Sequence, residues 1–314
     1  MNAVKKISDH VVASVGDVLL GKEHEIRLAL ACLFVRGHLL IEDLPGMGKT
    51  TLAQALSRAL GLEYTRIQFT SDLLPADIIG VSVYDRDKGA FEFHPGPIFS
   101  QVVLADEINR TSPKTQSALL EAMSEGQVSV EGQTRALPQP FFVIATQNPS
   151  AQSGTFPLPE SQLDRFLMRI KLGYPDPHAE RQLLSGGDPR ERLQGLKPCM
   201  NEQTLNNIQK QVEQVQASAS LVDYLQRLLQ QTRLLTELDN GISPRGGMAL
   251  LQCARAWALM EGRDYVIPED IQACIGSVWG HRLNAGGSEQ EVASLIQRVI
   301  NAVDIIPSKR VVSK

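Results

Sequence analysis

The chain has 314 residues, of which 31 are basic and 35 acidic, so its formal net charge is -4. At about 150 residues per domain, this length predicts two domains. The hydrophobic fraction of 43% excludes a disordered chain, which lacks the apolar content to offset its ordering entropy. No apolar run reaches the ~18 residues of a membrane-spanning helix, and no apolar signal segment follows the N-terminus. We therefore expect a cytoplasmic protein.

The cysteines and the charge argue against two further classes of protein, without excluding them. Cys32, Cys199, Cys253 and Cys274 form no C-x-x-C pair, and no histidine stands at a metal-ligand spacing. In a chain of this length they are predicted to be reduced core thiols. The acidic balance disfavours a sequence-independent nucleic-acid binder, which needs a cationic face.

The first half of the chain predicts alternating strands and helices. Apolar residues at helical spacing indicate an opening helix that stops at Gly21 and a second helix over 23–35. Short apolar runs then alternate with helix-length segments, which is typical of a parallel sheet covered by helices on both faces. The predicted strands are 38–42, 64–69, 101–105, 141–146 and 166–172.

Two stretches interrupt this alternation. The runs 81–84 and 90–93 flank a polar tip and predict a β-hairpin, and the runs 127–130 and 133–137 predict a second one. Each hairpin falls within a crossover between strands. We therefore interpret both as insertions into the α/β core.

The second half of the chain predicts an all-α domain. Two prolines close to Asp176 indicate a linker, and helical periodicity dominates beyond it. The predicted domains are an α/β core over 1–172, a linker over 173–200 and a smaller helical domain, called the lid below, over 201–314. The predicted lid helices are 205–215, 221–238, 245–260, 268–283 and 289–303.

A glycine-rich loop joins the first predicted strand to a helix. It fits the phosphate-loop pattern G-x-x-x-x-G-K-[ST], except that Asp43 replaces the first glycine. Such a loop surrounds phosphate with backbone N–H groups, while Lys49 reaches the β- and γ-phosphates and the Thr50 hydroxyl ligates Mg²⁺. A carboxylate beside phosphate is repulsive unless Asp43 points away. The predicted nucleotide contacts are Asp43, Leu44, Pro45, Gly46, Met47, Gly48, Lys49, Thr50 and Thr51.

Polar residues end two further predicted strands. Asp106 ends an apolar run and fits the carboxylate partner of the metal, and Glu107 can polarise the attacking water. Asn148 ends the run before Pro149 and could hold the water or the γ-phosphate opposite Glu107. The alternative for Asn148 is a plain strand-terminating asparagine.

The order of these motifs resembles AAA+ ATPases. It continues with L-D-R-F around Arg165 and S-P-R-G around Arg245. The motif sequences E-D-L-P-G-M-G-K-T, A-D-E-I-N-R, A-T-Q-N-P and L-P-E-S-Q-L-D-R-F resemble the MoxR family, which also carries an acidic residue where Asp43 stands. The resemblance covers nearly the whole chain, most firmly 20–172. It implies an AAA+ core whose hairpins match the insertions of the helix-2-insert branch.

The resemblance also implies roles for matching residues. Arg165 corresponds to the arginine finger that reaches the nucleotide of a neighbouring subunit, with Arg169 as the second choice. Arg245 corresponds to the second sensor on the lid, and Gly21 lies where such proteins place the chain against adenine. The remaining implied roles are phosphate and Mg²⁺ contacts for Lys49 and Thr50, the metal-side acid for Asp106, the catalytic base for Glu107 and the first sensor for Asn148.

The function implied by the resemblance is Mg²⁺-dependent ATP hydrolysis in a homo-oligomeric ring, expected to be a hexamer. Such a ring would act as a chaperone-like remodeller or activator of client proteins, including a separate protein with a von Willebrand factor A domain. ATP rather than GTP follows from the resemblance alone. Two alternatives are a nucleotide-gated scaffold with little turnover and a nucleic-acid motor, and the acidic charge disfavours the latter.

Overall fold

The computed structural model describes residues 2–148, 155–186, 188–238, 240–283 and 289–306. The chain divides into two compact units, Ile7–Asn207 and a second that combines Met1–Lys6 with Ile208–Lys314. The division falls between residues 207 and 208, while the sequence places the end of the core at 172 and the start of the lid at 201. Within the described residues the predicted linker, 173–200, contains two short helices. The three predicted domain bounds stay a prediction.

The central sheet consists of parallel strands in the order β2-β5-β8-β1-β9. Strands β5 and β8 lie in its interior, and every residue of β5 is buried. Such apolar runs are typical of strands covered on both faces. The strands are β1 (Leu39–Glu42), β2 (Tyr64–Gln68), β3 (Gly80–Asp85), β4 (Ala90–Pro95), β5 (Val102–Asp106), β6 (Gln127–Val130), β7 (Gln133–Ala136), β8 (Phe142–Gln147) and β9 (Met168–Ile170).

Both predicted hairpins are present and antiparallel. Strand β3 pairs with β4, and β6 pairs with β7. The guanidinium of Arg135 on β7 lies 3.9 Å from the ring centroid of Phe93 on β4. This cation–π contact joins the two insertions within one unit.

The helices begin at residues that suit helix starts. Ser218 and Ser243 accept a hydrogen bond from the N–H three residues later, and Pro244 and Pro268 stand at first-turn positions where no N–H is needed. The helices are α1 (Asn2–Gly16), α2 (Glu23–Phe34), α3 (Lys49–Leu60), α4 (Pro75–Ile79), α5 (Pro113–Glu125), α6 (Glu160–Leu163), α7 (Pro177–Leu184), α8 (Pro189–Gly195), α9 (Glu202–Gln214), α10 (Ala219–Leu234), α11 (Pro244–Met260), α12 (Pro268–Trp279) and α13 (Glu289–Asn301).

Two lid helices, predicted over 221–238 and 268–283, end at Leu234 and Trp279, earlier than their apolar spacing indicates. The first ends at Leu234 because Leu235 has an extended backbone. Leu238 is nevertheless buried, so a loop residue supplies the apolar position that the pattern assigned to a helix. The parallel sheet and the helical C-terminal region confirm the predicted α/β fold class. Among the described residues, no helix combines the length and apolar character needed to cross a bilayer.

A buried histidine ties three elements of the core together. The Val143 N–H donates to His38 Nδ1 at 3.0 Å, so the ring proton lies on Nε2 and is donated to the Met123 carbonyl at 3.0 Å. These contacts join the start of β1 to α5 and β8. Burial lowers the pKa of His38 from 6.5 to about 4, and the hydrogen bond to Met123 opposes this shift.

We expect His38 to make the fold less stable in mild acid. The pKa of His38 is lower in the folded than in the unfolded state. Its contribution to the free energy of unfolding is therefore complete above pH 6.5 and is lost as the pH falls toward 4. The shift corresponds to a contribution on the order of 3 kcal/mol. His38→Gln should therefore be less stable than wild type at pH 7.5, and the difference should shrink by about 1.4 kcal/mol per pH unit below pH 6.5.

Urea unfolding at several pH values measures this difference. The control is His10→Gln, because His10 is exposed on α1. Its difference from wild type should not show this trend. A stability difference for His38→Gln that stays constant from pH 7.5 to 4.5 would contradict the assignment.

Candidate nucleotide site

The loop between β1 and α3 has the backbone conformation of an anion cradle. Gly46 and Gly48 have φ angles of 86° and 89°, a region that residues with a Cβ rarely adopt. Gly48 is the residue before α3 and has no side chain with which to cap the N–H groups of the first turn. An uncapped helix N-terminus presents N–H donors and a positive dipole end, so this turn suits phosphate.

The carboxylate of Asp43 points away from this cradle. Its Oδ2 accepts hydrogen bonds from the N–H groups of Leu172 and Gly173 at 2.8 and 2.6 Å. Its Oδ1 accepts from the Leu44 N–H at 2.8 Å. The carboxylate is therefore satisfied by the backbone that follows β9 and by the N–H of its own neighbour, Leu44.

Lys49 is a buried cation at the centre of the site. Its ammonium donates to the Asp43 carbonyl and, at 2.7 Å, to Asn148 Oδ1. Burial lowers the pKa of Lys49 below 10.5, and the charges of Asp43, Asp106 and Glu107 act in the opposite direction. A bound anion would stabilise the protonated form further.

A single hydroxyl connects the two acids at the end of β5. Thr146 Oγ1 donates to Asp106 Oδ1 at 2.6 Å and accepts from the Glu107 N–H at 2.9 Å. Glu107 has a φ of 58°, a conformation uncommon outside glycine, and a 3₁₀ turn follows it. This sharp turn brings both carboxylates to one edge of the sheet.

Asn148 bridges the lysine and the glutamate. Its Oδ1 accepts from Lys49, and its Nδ2 donates to Glu107 Oε1 at 2.9 Å. Its own carbonyl accepts from Asn109 Nδ2 at 3.3 Å. Asn148 is thus part of a network, which a plain strand-terminating asparagine would not require.

Sequence reasoning missed three further side chains that contact the acids. Arg66 Nε and Nη2 donate to Asp106 Oδ2 at 3.0 and 2.6 Å. Gln68 Nε2 and Arg110 Nη1 donate to Glu107 Oε2 at 3.1 and 2.8 Å. The available signal was the period of two along β2, which places Arg66 and Gln68 on one face.

The two candidate finger arginines have different partners. Arg165 Nη1 donates to the Leu120 carbonyl at 2.8 Å and to Ser124 on α5, and no carboxylate in the described part of the chain pairs with it. Arg169 on β9 pairs with Glu42 at 2.9 Å. Neither arginine joins the network of Lys49, Asn148 and Glu107 among the described residues.

The remaining predicted contacts lie on three segments. Gly21 has a φ of 70°, and a Cβ there would lie 2.9 Å from Asp176 Oδ2, so the chain passes close to the segment before α7. Arg245 is the second residue of α11 and belongs to the other compact unit. Leu44, Pro45 and Met47 lie in the loop, and Thr50 and Thr51 lie in the first turn of α3.

The residues present fit a magnesium nucleotide. The cradle supplies N–H donors and one buried ammonium, which are the groups that phosphate needs. The Thr50 hydroxyl and the Asp106 carboxylate are oxygen ligands of the kind that Mg²⁺ prefers. The donor set is therefore consistent with the predicted ATP and Mg²⁺.

Comparisons with known proteins agree with this geometry. Residues 38–168 match the model of the ATPase family associated with various cellular activities (AAA), and residues 230–301 match the AAA lid domain. The chain is 37% identical to the chaperone MoxR1 of Mycobacterium tuberculosis over 94% of this chain and 81% of that protein. The chain belongs to the MoxR family of AAA+ ATPases.

Two other relatives extend this assignment over the length of this MoxR-family chain. The uncharacterized protein YeaC of Bacillus subtilis is 44% identical over 94% of this chain and 93% of its own length. The crystal structure of a proposed ATPase from Cytophaga hutchinsonii is 36% identical, with a TM-score of 0.86 over 97% of this chain and 96% of that one. The AAA+ fold is therefore shared along the chain.

The acid that distinguishes this MoxR-family loop should contribute to stability. In Asp43→Asn one amide oxygen replaces two carboxylate oxygens, so at least one backbone N–H of Leu44, Leu172 or Gly173 loses its acceptor. Because hydrogen bonds to charged groups contribute about 1.5–3 kcal/mol, we expect a destabilisation of about 2 kcal/mol. Urea unfolding measures it.

Asp87→Asn is the matched control, since Asp87 lies on the exposed tip of the first hairpin. It should change the free energy of unfolding by less than about 0.5 kcal/mol. Equal stability of Asp43→Asn and wild type would show that these hydrogen bonds contribute nothing to the fold.

Proposed function

We propose that this chain hydrolyses ATP with Mg²⁺ in a homo-oligomeric ring and thereby remodels or activates a client protein. The observation that carries the proposal is the hydrogen-bonded series from Lys49 through Asn148 to Glu107. It connects a phosphate-binding cation, a polar sensor and a base. An ATPase needs these three groups at the γ-phosphate.

Each residue of the series has a chemical task in this proposal. Lys49 and the N–H groups after Gly46 bind the phosphates, and Thr50 and Asp106 would hold Mg²⁺. The metal would neutralise charge on the β- and γ-phosphate oxygens. Glu107 accepts a proton from the attacking water, and Asn148 fixes the direction of its carboxylate.

The proposed ring explains why an arginine outside the network matters. An arginine aimed at the γ-phosphate stabilises the charge of the transition state, and a neighbouring subunit can supply it. Arg165 suits this role better than Arg169, because Arg169 is neutralised by Glu42 within its own subunit. A ring with identical head-to-tail contacts is the closed form of such an assembly, and a hexamer is the expected size.

The proposed client is a protein. One relative is named a chaperone, MoxR1. The first hairpin exposes Tyr84 and Phe91, aromatic residues of the kind that is enriched in protein interfaces. A protein with a von Willebrand factor A domain is the expected partner in the cytoplasm. Arg245 on α11 is proposed to sense the bound nucleotide.

Glu107→Gln should separate nucleotide binding from hydrolysis. The amide keeps the shape of the carboxylate but is not a base, so single-turnover hydrolysis should fall about 10²- to 10⁴-fold while ATP affinity stays within a few-fold of wild type. Glu23→Gln on α2 is the control for loss of a surface carboxylate, and it should hydrolyse ATP normally. Equal turnover in Glu107→Gln and wild type would favour the nucleotide-gated scaffold instead.

Arg165→Ala should bind ATP and hydrolyse it slowly, with a loss of about 10³- to 10⁵-fold if the arginine acts as a finger. In a ring that mixes Arg165→Ala with Glu107→Gln subunits, some interfaces combine the intact Glu107 of the first variant with the intact Arg165 of the second. Such mixtures should recover part of the activity. No recovery in a demonstrably mixed ring would contradict a shared site, and recovery with Arg169→Ala instead would assign the finger to Arg169.

A further inference from the structure

Arg66 is hydrogen-bonded to Asp106, the carboxylate that is proposed to hold the metal. It lies on β2, the strand at one end of the central sheet, and donates two hydrogen bonds to Asp106 Oδ2. Gln68, two residues further, lies opposite Asp106 in the parallel register, so both β2 side chains are on the face of that acid. Arg66 is therefore placed to act on Asp106.

Both oxygens of Asp106 are engaged in this arrangement. Thr146 donates to Oδ1, and the guanidinium of Arg66 donates to Oδ2. A Mg²⁺ ion held through Asp106 requires an oxygen of this carboxylate and repels the guanidinium. The arginine and the metal are thus alternative cations for one acid.

The arginine end of this contact is open to solvent. The Arg66 side chain is 47% exposed, whereas that of Asp106 is 10% exposed, so water can replace the guanidinium more easily than it can reach the acid. The Thr146 hydroxyl already fixes the orientation of Asp106. A long exposed arginine can leave this position without disturbing the core, whereas a buried one could not.

We propose that Arg66 is a positioning residue of the metal site, a resident counter-cation that leaves Asp106 when a magnesium nucleotide binds. The inference rests on the proposed function, because it takes Asp106 as the metal-side acid. Arg66 thereby weakens the binding of nucleotide with metal and supports the binding of metal-free nucleotide. Its charge is the physical reason for both effects.

The same arginine connects the metal site to the base. Arg66 Nη2 donates to Gln68 Oε1 at 2.5 Å, and Gln68 Nε2 donates to Glu107 Oε2 at 3.1 Å. Arg110 donates to the same oxygen of Glu107, so Gln68 is one of the two donors to that oxygen within the described part of the chain. A hydrogen-bonded series therefore joins Asp106 to Glu107 through Arg66 and Gln68.

The test uses the full-length protein and a fluorescent, non-hydrolysed ATP analogue. Its Kd is measured in EDTA and in excess Mg²⁺. The metal coupling factor is the Kd in EDTA divided by the Kd in Mg²⁺, so it rises when the metal favours binding more strongly. Binding of Mg²⁺ to the analogue in solution is the same for every variant, so it cancels between proteins. Arg66→Gln should raise the coupling factor about three- to tenfold, as expected for removal of one partly screened charge near the metal. Arg66→Lys, which keeps the charge, should raise it less.

Arg86→Gln removes the same charge from the exposed tip of the first hairpin and should leave the coupling factor unchanged. A coupling factor in Arg66→Gln equal to or below that of wild type overturns the inference, and so does an equal rise in Arg66→Lys. Failure of the wild type to bind the analogue in either condition overturns the proposed function itself. Thermal unfolding of each variant without nucleotide verifies that it is folded.

Discussion

The burial of one ammonium group organises the site. Lys49 is nearly inaccessible to water, and a buried charge is costly unless it is hydrogen-bonded and paired. The Asp43 carbonyl and Asn148 Oδ1 supply the hydrogen bonds, and the surrounding carboxylates supply the opposite charge. Asp43 and Asn148 are far apart in the sequence, so only the tertiary fold brings both to the lysine.

The parallel sheet provides these partners because its strands end at one edge. Strand β8 lies between β5 and β1, so the ends of β5 and β8 place Glu107 beside Asn148 and the phosphate loop beside both. Thr146 then holds the two acids at fixed positions. The left-handed backbone at Glu107 is consistent with a functional constraint, since a non-glycine residue adopts it only where the surroundings enforce it. The order of the strands therefore determines which of these side chains lie next to one another.

The sequence predicted the strands and hairpins well, because buried strands are short apolar runs and hairpins have polar tips. It was less accurate where a side chain is buried from a loop, as at Leu238. Within the predicted linker the sequence pattern indicated no helix, and there the carboxylate of Asp176 caps α7 by accepting from the N–H groups of His178 and Ala179. The motif residues could be proposed as a site because their order along the chain resembles that of AAA+ ATPases, and their roles stay predictions. Arg66 was not found, because its partner is 40 positions away and only strand pairing shows that they meet.

The departure of Asp43 from the general phosphate-loop pattern has a structural explanation. A glycine at this position would leave the N–H groups of Leu172 and Gly173 without this acceptor, whereas the carboxylate binds both. The phosphate loop is thereby attached to the segment that leaves the last strand of the sheet. Gly173 has a positive φ of 62°, so the chain turns at the point where this attachment holds it. The acid therefore attaches the loop to this turn by hydrogen bonds that a glycine could not accept, and its charge also favours the protonated form of Lys49.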